Sequence, residues 1–506
     1  MLLVEDPTHV FSVDNYILLL GECRRRKSFK HSHTLYLHIC GNGLEADHKL
    51  GNHLVPTFVE CGNICEAHQI FNKLLYHNEH SWTALLQGYA EKEEFENTLS
   101  IWGRMQLSGV HPSRHTFVPL LKVCSMMNYV DQGRKLHHEI IREGFESDLY
   151  LADTLVDMYG KFGFLMDAQR VFDKIVIRGV VTWTALIGGY TECGFGEIAL
   201  FCLAQMQLEG ISPNNITYMF ALKSCISIGD MNKGQEIHSL VIEEGFESDP
   251  FISSALIGMY ATFGSIIQAQ DVFHEVQVRD LVVWSTIMAG YVEHGLYKEA
   301  LACFKEMQSK NMVGNSFTFV CSLKACGNIG AINDGRKIHT DIAKKGLLES
   351  NIAIGNALLD MYAKCGLLAE ALEIFKELHI PDVVSWTALI SGYVDHKLCK
   401  EALDCFDQMK LEGIAPNTIT FACSLRACGS IGDIEKGREM HSELVGKGLL
   451  EENDIVLDTT LVDMYSKIGF LLEAKYVFDT LGVQDVVVCT ALIAGYAAHE
   501  QEEEAL

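Results

Sequence analysis

Hydrophobic positions recur along this chain at helical spacing, and the stretch Val383–Asn417, VVSWTALISGYVDHKLCKEALDCFDQMKLEGIAPN, shows the pattern most plainly. Trp386, Leu389, Ile390 and Tyr393 fall at i, i+3, i+4 and i+7, and Ala402, Cys405, Phe406 and Met409 repeat that spacing. Each set marks one face of an amphipathic helix. The polar break Asp395–Lys397 separates the two, and Gly413-Ile414-Ala415-Pro416 is a helix stop. The stretch is therefore a helical hairpin of 35 residues. Helices this short are marginal alone, and one hairpin cannot cover its own apolar faces, so it must stack on similar neighbours.

Those neighbours are present. A shorter unit carries Leu-x-x-Met-Tyr, a Gly turn and Ala-x-x-x-Phe, as in LVDMYGKFGFLMDAQRVF from Leu155, with copies from Leu256, Leu358 and Leu461 and a weaker one from Leu54. A longer unit closes with Gly144-Phe145-Glu146-Ser147-Asp148, again with Gly245-Phe246-Glu247-Ser248-Asp249, and in divergent form with Gly43-Leu44-Glu45-Ala46-Asp47. The three types rotate with a super-period of 101 to 103 residues. Long units occupy 13–47, 114–148, 215–249, 316–351 and 418–454; short units 48–78, 149–179, 250–280, 352–382 and 455–485; standard units 79–113, 180–214, 281–315 and 383–417. Residues 1–12 lead in, and 13–506 read as one continuous array. A last standard unit starts at Val486 and stops inside its second helix, whereas a solenoid normally closes on a polar-faced cap, so a C-terminally incomplete or truncated sequence is expected.

Composition narrows the function classes. The hydrophobic share of 48% is ample for a continuous core. A net charge of −26 argues against strong non-specific attraction to phosphates, so any grip on nucleic acid must come from local charge and base contacts. The 17 cysteines lie at helical positions with no C-x-x-C pair, which reads as core residues of a reducing compartment. No apolar run reaches the roughly 18 residues of a membrane span, so no membrane partner is expected. The start, MLLVEDPTHVF, has neither the look of a transit peptide nor that of a signal sequence.

Hairpins of these three lengths in strict rotation, with W-T-A-L-I, L-V-D-M-Y and G-F-E-S-D signatures, resemble the pentatricopeptide repeat family of land plants, specifically its mixed-length (PLS) subclass. The tetratricopeptide pattern W-x-x-L-G-x-x-Y is not present. The resemblance implies an all-α, right-handed α-solenoid superhelix of stacked helix-turn-helix repeats. It also implies binding of single-stranded RNA in a mitochondrion or chloroplast, one base per repeat. Mixed-length members mostly specify sites of C-to-U editing, so editing-complex proteins, or a deaminase in trans or in a C-terminal extension, are the implied further partners.

No catalytic site stands out in the chain itself, and no cofactor is implied. A zinc deaminase needs H-x-E near P-C-x-x-C. His137-His138-Glu139 and His441-Ser442-Glu443 match the first half as strings, lack a C-x-x-C partner, and sit at one position of the long unit where His238 and His339 recur without the Glu. Helix packing is the expected role for them, and also for Cys61-x-x-x-Cys65.

With Trp386, Leu389, Ile390 and Tyr393 facing the core, Thr387 points about 100° away, toward a groove, and Asn417 sits at the junction with the next hairpin. Two such small polar groups can bond one Watson–Crick edge. By the family's code, Asn52 with Asn78 implies a pyrimidine. Thr83 with Ser113, Thr184 with Asn214, Ser285 with Asn315 and Thr387 with Asn417 imply adenine. Ser254 with Asp280 and Thr459 with Asp485 imply guanine, and Asn356 with Asp382 uracil. Asp153 with Gly179 departs from the code, and Thr490 lacks a second residue. Long units place Ile17, Val118, Met219, Val320 and Ala422 there, which cannot donate or accept and so read as spacers. Each polar residue taken singly is more often a helix cap or a solvated group, while recurrence at the same place in alternating units favours base reading for the set, and Trp82, Trp183, Trp284 and Trp386 are expected in the core more than as stacking platforms. The competing function is an α-solenoid scaffold for protein partners, which the acidic charge favours.

Overall fold

The computed structural model describes residues 12–44, 47–449, 455–480 and 486–499, and these contain thirty helices and no strand. The first helices of successive hairpins start at Val13, His48, Glu79, Arg114, Leu149, Val180, Asn215, Pro250, Leu281, Ser316, Ile352, Val383, Thr418, Ile455 and Val486. A four-residue helix, Leu347–Ser350, is an addition the periodicity did not announce. The chain forms two compact parts, Met1–Phe246 and Glu247–Leu506, within each of which neighbouring hairpins pack. No described helix is long and apolar enough to cross a membrane.

Most of the length difference between short and standard hairpins lies in the second helix. It has 10 residues in the short type, as in Leu165–Lys174 and Ile266–Glu275, against 13 in the standard Gly196–Leu208 and Tyr297–Ser309. The short helix ends where Ile175 and Val276 turn to extended backbone. A cation then folds back over the exposed helix end, where the peptide dipoles favour positive charge. Arg279 Nε donates to Phe273 O at 2.9 Å, with its guanidinium 4.5 Å from the Phe273 ring; Arg178 stands likewise 4.5 Å from Phe172.

Three kinds of seam hold adjacent hairpins, each made by residues the helical spacing brings to one face. Between short and standard hairpins, Trp82, Trp183, Trp284 and Trp386 are buried edge-on against Phe71, Phe172, Phe273 and Phe375, with centroids 4.6 to 4.9 Å apart. This is the core role expected of the tryptophans. Between standard and long hairpins the pairs are Trp102–Phe117, Phe304–Phe319 and Phe406–Phe421, at 5.6 to 5.8 Å. Between long and short hairpins, His137, His339 and His441 each bond the hydroxyl of Tyr159, Tyr362 and Tyr465 through Nδ1, at 2.9 to 3.0 Å. Where the first helices run closest, glycine is required: a Cβ on Gly189 would lie 2.9 Å from Gly160 Cα.

Candidate nucleic-acid interface

The last residue of a hairpin is the N-cap of the next first helix. The Oδ1 atoms of Asn78, Asn214, Asp280, Asn315, Asp382 and Asn417 accept from the backbone N–H three residues on, at 2.8 to 2.9 Å. Capping thus accounts for the residue type, since Asn, Asp and Ser lead at this position. It also fixes the amide: with Oδ1 committed inward, Nδ2 is the group that the asparagines have to offer a ligand.

The fifth residue of the first helix is tied to the same cap through a residue that periodicity did not single out. Thr184 Oγ1 is 2.7 Å from Thr217 Oγ1, and Thr217 Oγ1 donates to Asn214 Oδ1 at 2.8 Å. The hairpin 383–417 repeats this through Thr387, Thr420 and Asn417, each step at 2.7 Å. The signal was visible, since Thr116, Thr217, Thr318 and Thr420 all hold the third position of a long hairpin. These fifth residues lie deeper than a free groove position: Thr83, Thr184, Ser285, Asn52 and Asn356 are all buried in the seam between first helices.

Other pairs meet by different routes. Asn356 Nδ2 donates to Asp382 Oδ1 at 3.1 Å, and Ser385 Oγ donates to Asn356 Oδ1 at 2.5 Å. Burial opposes the charge on Asp382, but the bonds from Ser385 and Asn356 outweigh it and hold the carboxyl below its usual range. Asn52 Oδ1 accepts from Asn78 N at 3.2 Å. Ser285 Oγ bonds back to Val282 O and Ser254 Oγ to Phe251 O, so the structure brings neither to its partner, Asn315 or Asp280, by a direct bond. Thr459 Oγ1 bonds Ile455 O, and its partner Asp485 lies outside the described residues. Asp153 accepts from Thr182 Oγ1, with its carboxyl pushed up by burial, and Gly179 adds no side chain beside it. A cavity of about 480 Å³ opens there, lined among others by Tyr150, Asp153, Val181, Thr184, Asn214 and Ile216. Val118 and Ala422 of the long hairpins are buried.

The exposed line runs one residue away from the turn's core, at the second position of the first helix. Tyr150, Val181 and Ile216 in the first part, and Phe251, Val282, Phe317, Val384, Ile419, Val456 and Val487 in the second, each leave about half or more of their surface in water. Apolar side chains repeated at one solvent-facing place are not explained by packing.

The family models that match are a PPR repeat family at 178–227, 279–328 and 381–430, a PPR repeat at 153–180 and 356–379, and a pentatricopeptide repeat domain at 75–127. A chloroplastic pentatricopeptide repeat-containing protein of Arabidopsis thaliana is 32% identical over 90% of this chain and 73% of its own length. The chain belongs to the pentatricopeptide repeat family. A mitochondrial pentatricopeptide repeat-containing protein of the same plant is 30% identical, over 95% of this chain and 69% of that one. Among solved structures, the pentatricopeptide repeat protein PPR10 in complex with an 18-nt psaJ RNA element is 16% identical with a TM-score of 0.58, covering 97% of this chain and 86% of that one. That likeness speaks for an all-α repeat solenoid.

In this pentatricopeptide repeat chain several charges along the first helices are paired. Lys161, Lys364 and Lys467 reach Asp157, Asp360 and Asp463 one turn back, at 2.6 to 2.9 Å, while Lys223 and Arg426 reach Glu192 and Asp395 of the preceding hairpin at 3.3 and 3.1 Å. Exposed pairs of this kind are weak, so a phosphate can take the cation over at little cost. The His137 and His441 strings are absorbed by their tyrosines, and no group of His, Cys, Asp or Glu among the described residues is suited to a metal ion. All seventeen cysteines are free thiols; burial pushes Cys124, Cys225, Cys326 and Cys428 up to about 12.

Proposed function

We propose that this chain is a sequence-specific single-stranded RNA-binding protein of a plant organelle, reading bases at its standard and short hairpins. The observation that carries this is the coincidence, in the hairpins 180–214 and 383–417, of a bonded polar pair with an exposed apolar side chain, Val181 or Val384, at the second position of the same helix. The pair supplies directional donors and acceptors for a base edge, and the apolar neighbour a surface for its face. Lys161, Lys364 and Lys467 stand on the same helices as cations for the backbone. The naming of relatives as chloroplastic or mitochondrial, and of PPR10 as an RNA complex, agrees with this reading. Within it, recognition of a C-to-U editing site, with the deaminase supplied elsewhere, is the use we favour. Long hairpins act as spacers.

The deciding experiment is an equilibrium titration with RNA in the order pyrimidine, A, gap, unknown, A, gap, G, A, gap, U, A, gap, G. Tighter binding than to a scrambled RNA of equal composition is expected. Equal affinity for both would reject sequence-specific reading and leave the scaffold alternative.

A further inference from the structure

Glu79 is the first residue of its helix, where the other standard hairpins carry Val180, Leu281 and Val383. Its carboxylate turns into the polar pair of its own hairpin. The Oε1 atom accepts from Thr83 Oγ1 at 2.8 Å, from Thr116 Oγ1 at 3.2 Å, and from the hydroxyl of Ser113. The Oε2 atom lies 3.2 Å from His80 Nδ1. Burial works against the charge on Glu79, but the hydroxyl bonds prevail and keep it ionised, below the usual carboxylate range.

A hydroxyl has one proton to give. Here the protons of Thr83 and Ser113 both have a carboxylate to go to, so the pair turns only lone pairs toward a ligand. In the hairpins 180–214 and 383–417 the last residue is Asn, whose Nδ2 remains a donor after Oδ1 has made the cap. That difference changes which base edge fits. Adenine presents the acceptor N1 and needs a donor; guanine presents N1–H and N2–H₂ side by side and needs two acceptors. Uracil flanks its one N–H with carbonyls, and cytosine presents an unprotonated N3, so neither matches an all-acceptor edge.

We propose that Glu79 makes the hairpin 79–113 a reader of guanine, where Thr83 and Ser113 alone would select adenine. The proposal rests on the RNA-binding reading above.

The test uses the full chain and RNAs of the order given, differing only at the base opposite residues 79–113, with the wild type, Glu79→Val and Glu79→Gln compared after circular dichroism confirms equal helicity. Guanine is expected to bind the wild type roughly tenfold tighter than adenine, the scale of one well-made base contact. Glu79→Val, which gives this hairpin the residue of its siblings, is expected to bring adenine level or ahead, with Glu79→Gln intermediate. A wild type that prefers adenine, or a guanine preference that survives Glu79→Val, overturns the role of Glu79 while the matched RNA still outbinds the scrambled one. If matched and scrambled RNAs bind alike in every variant, the RNA reading itself falls, and this inference with it.

Discussion

Thr184 and Thr217 place their hydroxyl oxygens 2.7 Å apart, and Thr217 passes the bond on to Asn214. The two side chains proposed to meet one base are thus held by a third, on the following hairpin. The proposed reading of the base and the stacking of the hairpins share the same atoms.

That sharing separates capping from reading by substitution. Asn214→Asp keeps an Oδ1 acceptor for Thr217 N and loses the Nδ2 donor. The thermal midpoint is expected to stay within error, while the preferred base opposite 180–214 moves from adenine to guanine. Asn214→Ala removes both groups and is expected to cost about 1 kcal/mol of stability as well as base preference. An Asp variant as destabilised as the Ala variant would show the amide to be part of the fold only.

Gly189 tolerates no side chain, because a Cβ there would meet the Gly160 backbone at 2.9 Å. Gly189→Ala is expected to force apart the helices Leu149–Lys161 and Val180–Glu192 and to lower stability by about 1–3 kcal/mol, measured by urea titration. The Thr184 network next to that contact is expected to loosen with it, weakening adenine selection at this hairpin.

Lys397 occupies left-handed backbone, φ 63°, in the turn where the hairpins 180–214 and 281–315 carry Gly194 and Gly295. A side chain in that conformation is unfavourable, so Lys397→Gly is expected to stabilise by about 0.5–1 kcal/mol, with RNA affinity unchanged. Differential scanning calorimetry of the pair would show it.

The His–Tyr seams set a pH dependence. Burial lowers the proton affinity of His137, His339 and His441 below the ordinary value of 6.5. The native state therefore binds fewer protons at these rings than the unfolded chain does. Their contribution is complete above pH 6.5 and is lost as pH falls through the depressed native values. Melting temperature is expected to drop between pH 7 and 5.5, and less steeply in a chain with all three histidines replaced by Gln.

The hairpin starts and the buried tryptophans were legible because period and apolarity are local properties of the sequence. The pairing of Thr83 with Ser113 was legible as a spacing, but the carboxylate that takes their protons was not. Glu79 is a common residue at an ordinary helix start, and its role depends on a hydroxyl 34 residues away being folded onto it. The second-position row was hidden for a different reason. Val181 or Val384 beside a core Trp looks like more core, and only the direction of the side chain in the folded helix shows it facing water. Thr217 and Thr420 recur visibly, but their partners lie on a neighbouring hairpin, which the period alone does not specify.

The three seams are all built on aromatic rings, but each from its own residue pair. A face shaped for Trp183 has its Phe172 only on a short hairpin, and His137 finds its Tyr159 only on the next one along. Adding or removing a single hairpin would therefore set unlike faces together and strand a half-buried imidazole or a buried indole. Such a chain keeps every seam matched when it is lengthened or shortened by whole triplets, about a hundred residues at a time, which makes the triplet, and not the hairpin, the unit by which it can be re-engineered.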